Sequence, residues 1–247
     1  MTDFTPTPTL AVWFDLDDTL AYELDFCKSG FRAVAKGISD ETAPYCSAED
    51  IELVMSSAAE MKMNHYDALQ GLLECSFPEN SDALISKLIA KSVQICRNHL
   101  PDDGYRLKEG VTEALKALTH NKVTIGIITD GRSVTQRNKL HALGLDSIID
   151  PKRILISEEI GSGKEDEQIF RIAESLSGGE SVSNVYIADN PSKDFYHPNR
   201  LNWTTIMIAP DRRNIHFPYP SVDAAYEAHR KCNNVAEAIT DLILHNS

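Results

Sequence analysis

One short stretch limits what this chain can become. In Leu10-Ala11-Val12-Trp13-Phe14-Asp15-Leu16-Asp17-Asp18-Thr19-Leu20, three carboxylates and a hydroxyl follow directly on an unbroken apolar run. A run so short and β-prone reads as a buried strand. Acids gathered at the end of such a strand repel each other and lose hydration. A folded chain rarely carries that cost without a cation beside them. The bland alternative is a solvated turn with an N-cap, and it leaves three later stretches of the same chemistry unexplained.

Those stretches appear once the chain is divided. Residues 22–104 have helical periodicity and no convincing strand. Phe26, Gly30, Phe31, Val34 and Ile38 recur at helix spacing after Asp25, a candidate N-cap. Ser47-Ala48-Glu49-Asp50 has the form of a capping box. Asn64–Cys75 reads as a third helix, and Ser81 opens a fourth with Leu84, Leu88 and Ile95 among its apolar positions. After Gly104 the pattern changes to strand and helix in alternation. Strands are expected at 123–128, 153–156, 185–188 and 205–208. Helices are expected at 111–118, 133–143, 165–176 and 233–244, with Gly144 suited to a left-handed helix end. Such alternation implies an α/β fold, a mostly parallel sheet with helices on both faces. The strand at residues 9–14 belongs to that sheet, so the helical module is an insertion after it. The expected division is 1–21 with 105–247 as core and 22–104 as insert. Ser177–Ser181 reads as a surface loop.

Parallel α/β sheets place ligands at the carboxyl ends of their strands. Reading each end gives Asp15 and Asp17, then Thr129-Asp130-Gly131, then Asp189, with Gly161-Ser162-Gly163-Lys164 ahead of a helix start. Each alone is ordinary: a strand-end threonine, a solvated lysine, a common Asp-Asn-Pro turn. Their ordered placement suits phosphoryl transfer, which needs an attacking oxygen, a proton donor and positive charge around the phosphoryl oxygens. Asp15 can attack and form an aspartyl-phosphate. Asp17 can protonate the leaving alcohol and then activate water. Asp15, the Asp17 carbonyl and Asp189 offer the oxygen ligands that Mg2+ prefers. Lys164, Thr129 and the amides of Asp130 and Gly131 can hold phosphate oxygens.

On these residues the chain resembles the haloacid dehalogenase-like hydrolase superfamily. Asp15-Leu16-Asp17-Asp18-Thr19 matches its D-x-D-x-T motif, Ile127–Gly131 its hydroxyl-bearing strand end, Lys164 its lysine, and Ala188–Asp194 its paired-acid motif. The resemblance implies a Rossmann-like parallel sheet in the order 5-4-1-2-3 and a helical cap domain inserted after the first motif. It also implies Asp194 as a second acid that supports the site through Lys164. Relatives that act as dehalogenases or cleave phosphonates lack an acid at the Asp17 position, so Asp17 implies phosphoester chemistry. The leading expectation is a Mg2+-dependent phosphatase acting on a small phosphorylated metabolite, either a sugar phosphate or a nucleoside monophosphate. A phosphomutase is the second expectation; related mutases commonly carry Gly where Asp18 stands. A non-catalytic binding protein on the same fold is the third.

Composition bounds the partners. With 37 acids against 24 bases the formal charge is −13, which lacks the basic footprint of a general nucleic-acid binder. Five scattered cysteines form no C-x-x-C pair, so a reducing compartment is expected rather than a disulfide framework. Met1–Pro6 lacks the charged-then-apolar order of a signal peptide. No apolar run approaches the ~18 residues of a membrane span. A cytoplasmic protein is the expectation. Asp18 reads as a hydrogen-bonding turn residue, and Arg132 as a substrate contact or a surface residue. Tyr22, Lys28 and Arg32 read as candidates for the crevice, with a solvated face preferred for the last two. Trp203, Phe217 and Tyr226 read as core or rim aromatics, and His216 as an exposed loop residue.

Overall fold

The computed structural model describes residues 10–179 and 182–245. The Met1–Pro6 stretch, residue 9 of the expected first strand, and the Glu180-Ser181 end of the expected loop lie outside the described residues. In chain order the elements are β1 (Leu10–Phe14), α1 (Glu23–Thr42), α2 (Ala48–Glu60), α3 (His65–Ser76), α4 (Asp82–Asn98), α5 (Val111–His120), β2 (Thr124–Thr129) and α6 (Ser133–Ala142). Then come β3 (Ile154–Ile156), α7 (Ser157–Ile160), α8 (Glu167–Ser177), β4 (Ser183–Ala188), α9 (Tyr196–Arg200), β5 (Thr204–Ile208), β6 (Arg230–Cys232) and α10 (Val235–His245).

All strand pairs are parallel, in the order β3-β2-β1-β4-β5-β6. Read from the other edge, the first five strands keep the expected 5-4-1-2-3 order. The difference is β6, added beyond β5. It is three residues long and largely polar, so no apolar run announced it. Register puts Phe14 level with Ile127 on one side and Ile187 on the other. All five residues of β1 are buried, as a central strand covered on both faces requires.

Alternation along the strands separates two apolar layers. Val12, Phe14, Ile127 and Ile187 pack with Val111 and Leu115 of α5 and Ile239 of α10. Trp13, Ile128 and Tyr186 pack on the opposite face with Ile169 and Phe170 of α8. Trp13 lies over Gly126 on β2, where an added Cβ would sit 2.3 Å from the indole ring. Its Nε1 donates to Ser177 Oγ at 2.9 Å. Glycine is thus fixed at 126 by the indole beside it.

Helices α1–α4 enclose a separate apolar cluster that includes Phe31, Val34, Ile38, Ile51, Leu69 and Leu88. Phe26, one turn earlier on α1, joins the sheet layer instead and meets Tyr105 edge to face at 5.7 Å. One helix therefore serves both cores. The capping box at α2 is present: the Asp50 amide donates to Ser47 Oγ at 3.1 Å, and the Ser47 amide to Asp50 Oδ2 at 3.0 Å. Asn64 caps α3. Three local expectations shift. Helix α1 begins at Glu23, so Asp25 lies within its first turn rather than at its cap. The Ser81 hydroxyl donates back to the Pro78 carbonyl rather than capping α4. Leu84 is exposed and Ile85 takes its inward place, whereas Leu88 is buried as expected. Gly144 does take the left-handed conformation after α6 (φ 68°). Among the described residues all five cysteines are free thiols, and no helix is long and apolar enough to cross a membrane.

Candidate active site

The carboxyl ends of β1, β2 and β4 open on one cavity of about 110 Å3, lined by Asp15, Asp17, Thr129, Asp130, Lys164, Asp189 and Asp194 among others. Asp15 follows β1, and its amide donates to the Ile187 carbonyl at 3.0 Å, continuing the sheet one step into the site. Asp189 follows β4 directly. Asp194 lies five residues further, where its Oδ2 accepts the Asn190 amide at 3.0 Å. Lys164 reaches this cluster from the loop before α8. Its Nζ bonds Asp15 Oδ1 and lies 2.8 Å from Asp194 Oδ1.

Asp15, Asp189 and Asp194 each present one carboxylate oxygen, all within 4.8 Å of one another, and all three residues are buried. Three acids share one ammonium there. Burial pushes Asp15 well above the usual carboxylate range, against the pull of Lys164 and with help from its two acidic neighbours. Burial and the Asp194 charge push Asp189 up to about 6. Burial opposes the charge on Lys164, but Asp15 and Asp194 outweigh it and hold the ammonium well above its ordinary value. A cluster short of positive charge, made only of oxygen donors, fits a hard divalent cation. The sequence pointed to Asp15, the Asp17 carbonyl and Asp189 as the ligands. The third carboxylate gathered here is Asp194.

The Asp17 side chain points elsewhere. The β1 ladder ends at Phe14 and Asp17 instead bridges to Ala21, so the two acids do not continue one strand of the sheet. Both Asp17 oxygens lie 2.7 Å from Lys139 Nζ on α6, and Oδ2 accepts from Gln136 Nε2 at 3.1 Å. Gln136 also donates to Thr129 Oγ1 at 2.6 Å and to the Asp130 carbonyl at 3.1 Å. The Gly131 amide is one of the expected phosphate donors. That amide donates to Ser157 Oγ at 2.9 Å. Asp130 turns its Oδ1 to the Lys164 amide at 3.1 Å, tying the two loops together.

Asp18 is the turn residue its position suggested. It adopts φ 57°, and its carboxylate accepts the Glu23 amide at 3.1 Å and the Ile215 amide at 2.8 Å. Burial, then the charge of Asp189, raises it to about 7. Lys28 pairs with Glu60, and Arg32 with Asp102, away from the cavity. Arg132 is exposed at the start of α6. Trp203 is buried, whereas Phe217 and Tyr226 are half-buried.

Several residues at the site carried no sequence signal that was read. Asn214 Nδ2 donates to Asp189 Oδ2 at 3.0 Å, and the Tyr219 hydroxyl bonds the same oxygen. Both sit in the segment between β5 and β6. The same segment holds the helical module: Tyr22 bonds Asp211, Arg213 pairs with Asp25 at 2.6 Å, and Lys62 donates to the Asn214 carbonyl at 3.0 Å. His216 is exposed as expected, yet it lines the cavity 3.9 Å from Glu23. Gln136 and Lys139 had a readable signal. Positions 136, 139, 140 and 143 form one helical stripe, and two of its four inward places are polar.

The profile of a family described as haloacid dehalogenase-like hydrolase matches residues 12–208. Among curated proteins, the chain is similar to the glyceraldehyde 3-phosphate phosphatase of Methanocaldococcus jannaschii, 24% identical over 197 residues, covering 80% of this chain and 83% of that one. It is similar to the enzyme of the same name from Methanopyrus kandleri, 26% identical over 203 residues, again covering 80% and 83%. Among solved structures, the protein YfnB of Bacillus subtilis bound to magnesium superposes with TM-score 0.60 at 18% identity, over 95% of this chain and 99% of that one. The HAD phosphatase of Thermococcus onnurineus superposes with TM-score 0.57 at 18% identity, over 94% and 97%. These structural likenesses establish the fold.

Proposed function

The chain belongs to the haloacid dehalogenase-like hydrolase family, and on that premise we propose that it is a magnesium-dependent phosphatase acting on a small sugar phosphate. The observation that carries the reading is the buried set Asp15, Asp189 and Asp194 with one carboxylate oxygen each inside 4.8 Å, beside the Lys164 ammonium. Asp15 and Asp189, with the Asp17 carbonyl, are the residues that would hold Mg2+, and Asp194 supports them through Lys164. The ion, when bound, supplies positive charge against the phosphoryl oxygens.

The chain's own residues do the rest. An Asp15 carboxylate oxygen attacks phosphorus as the bond to the leaving alcohol breaks, and Asp17 gives that alcohol its proton. Water then attacks the aspartyl-phosphate, its proton passes to Asp17, and phosphate departs with Asp15 restored. Lys164 and the Thr129 hydroxyl face the phosphoryl oxygens. Helices α1–α4 act as a cap over the cavity and exclude bulk water.

One observation favours a small sugar phosphate over a nucleotide: the relatives named above act on glyceraldehyde 3-phosphate, a three-carbon ester. The test is phosphate release from a panel of triose, hexose and nucleoside phosphates, with magnesium and with chelator. Turnover of the triose esters that chelator abolishes, and that Asp15→Asn abolishes, is the expected result. No release from any ester, or full turnover by Asp15→Asn, would overturn the reading.

A further inference from the structure

Acidic side chains line the cavity, and two buried lysines pair with three of them. Lys164 answers Asp15 and Asp194. Lys139, from α6, answers Asp17 with both oxygens at 2.7 Å. The Lys139 side chain is only 3% exposed, and its ammonium lies 4.3 Å from the centre of the Phe26 ring on α1. A lysine taken that far out of water needs a firm reason, since desolvation offsets much of what an ion pair returns.

The loop supplies the reason. Asp17 lies beyond the end of β1, its backbone in a single bridge to Ala21 rather than in the sheet ladder. Its carboxylate would be drawn toward Lys164, or toward any cation held by Asp15 and Asp189, as one more ligand. We propose that Lys139 and Gln136 are positioning residues that hold the Asp17 carboxylate apart from the Asp15–Asp189–Asp194 cluster and aim it for proton transfer. The inference rests on the phosphatase reading given above.

Gln136 makes the second half of the clamp. It is buried, and its Nε2 joins Asp17 Oδ2, Thr129 Oγ1 and the Asp130 carbonyl. A Cβ on Gly131 would meet the Gln136 side chain at 3.3 Å, so the backbone beside it fixes the amide's place. One face of α6 thus sets the distance between the proton-handling carboxylate and the hydroxyl expected to hold phosphate. Phe26 brings α1 over the ammonium, so the cap covers the clamp.

The test compares leaving groups. A p-nitrophenolate departs with little need of a proton, whereas an alkoxide such as that from glycerol 3-phosphate needs one. In Lys139→Met, kcat for the alkyl ester should fall by about a hundredfold, the scale of a small misplacement of a reacting group. KM should stay within about threefold, and the aryl ester should lose about tenfold or less. Gln136→Leu should show the same bias at smaller size, and it carries the test if Lys139→Met does not fold. In an Asp17→Asn background neither substitution should lower kcat further. Equal losses on both esters, or a loss that persists without the Asp17 carboxylate, would mark a merely structural role and overturn the proposal. If the unaltered protein releases phosphate from none of these esters or of the panel above, the phosphatase reading falls and the clamp with it; where only a panel ester is turned over, that ester replaces glycerol 3-phosphate in the comparison.

Discussion

Removing metal and changing pH should expose the cost of the acid cluster as a stability that falls where most proteins gain it. Asp189 is 4% exposed, and its pKa moves from the ordinary 3.8 to about 6. Between those values the native chain keeps a proton that the unfolded chain has lost. Stability is therefore greatest below 3.8 and falls as pH rises through about 6. The full change is about 3 kcal/mol, of which about 2 kcal/mol falls above pH ~4.5. Asp18, pushed to about 7 partly by the charge on Asp189, adds in the same direction. For a chain of this size, 2 kcal/mol corresponds to about 4–8 °C in Tm. Surface acids whose values are lowered by salt bridges, such as Asp102 beside Arg32, work in the opposite sense, so the measurement is a comparison. Thermal melts of the native protein and Asp189→Asn in chelator, from pH ~4.5 to pH ~7.5, should diverge by that amount as pH rises. Magnesium at about a hundred times its Kd should restore roughly 2.7 kcal/mol at the upper pH and far less at the lower, where protons hold the oxygens. Parallel curves for the two proteins, or an equal magnesium shift at both ends, would refute the reasoning.

Other consequences can be checked singly. Lys164→Met leaves Asp15 and Asp194 buried without their cation, and should cost about 3–5 kcal/mol in denaturant melts. Gly126→Ala drives a methyl into the Trp13 ring at 2.3 Å, and should cost about 1–3 kcal/mol by the same measurement. Ser47→Ala removes the hydroxyl that accepts the Asp50 amide at the start of α2, while the backbone amide of residue 47 can still donate to Asp50. It should cost about 1 kcal/mol while leaving turnover per folded molecule unchanged.

Much of the fold was legible because its strands are apolar runs and its helices carry stripes. β1, β2, β4 and β5 are nearly all buried, so composition alone marks them. β6 is Arg-Lys-Cys at an edge, where exposure permits polar residues and the signal vanishes. At the site, Asp15, Asp189 and Lys164 were readable because each sits within a few residues of a strand end or helix start, at fixed spacing. Asp17 was readable as a residue but not as a direction, since its orientation depends on Lys139, over a hundred residues away. Asn214 and Tyr219 were not readable. They lie in a segment without periodicity, and only the folded path brings them to Asp189.

The place of β1 bears on how the chain comes together. It is made first, yet its two ladder partners are residues 124–129 and 183–188. During synthesis the helices of 23–98 emerge long before either partner, and their mutual contacts are local enough to form at once. The first strand can pair on one side once residues 124–129 have left the ribosome, but its other side stays open until residues 183–188 follow. The insertion thus separates an early-folding bundle from a late-closing sheet, and the acids after Phe14 are brought together only at that closing step.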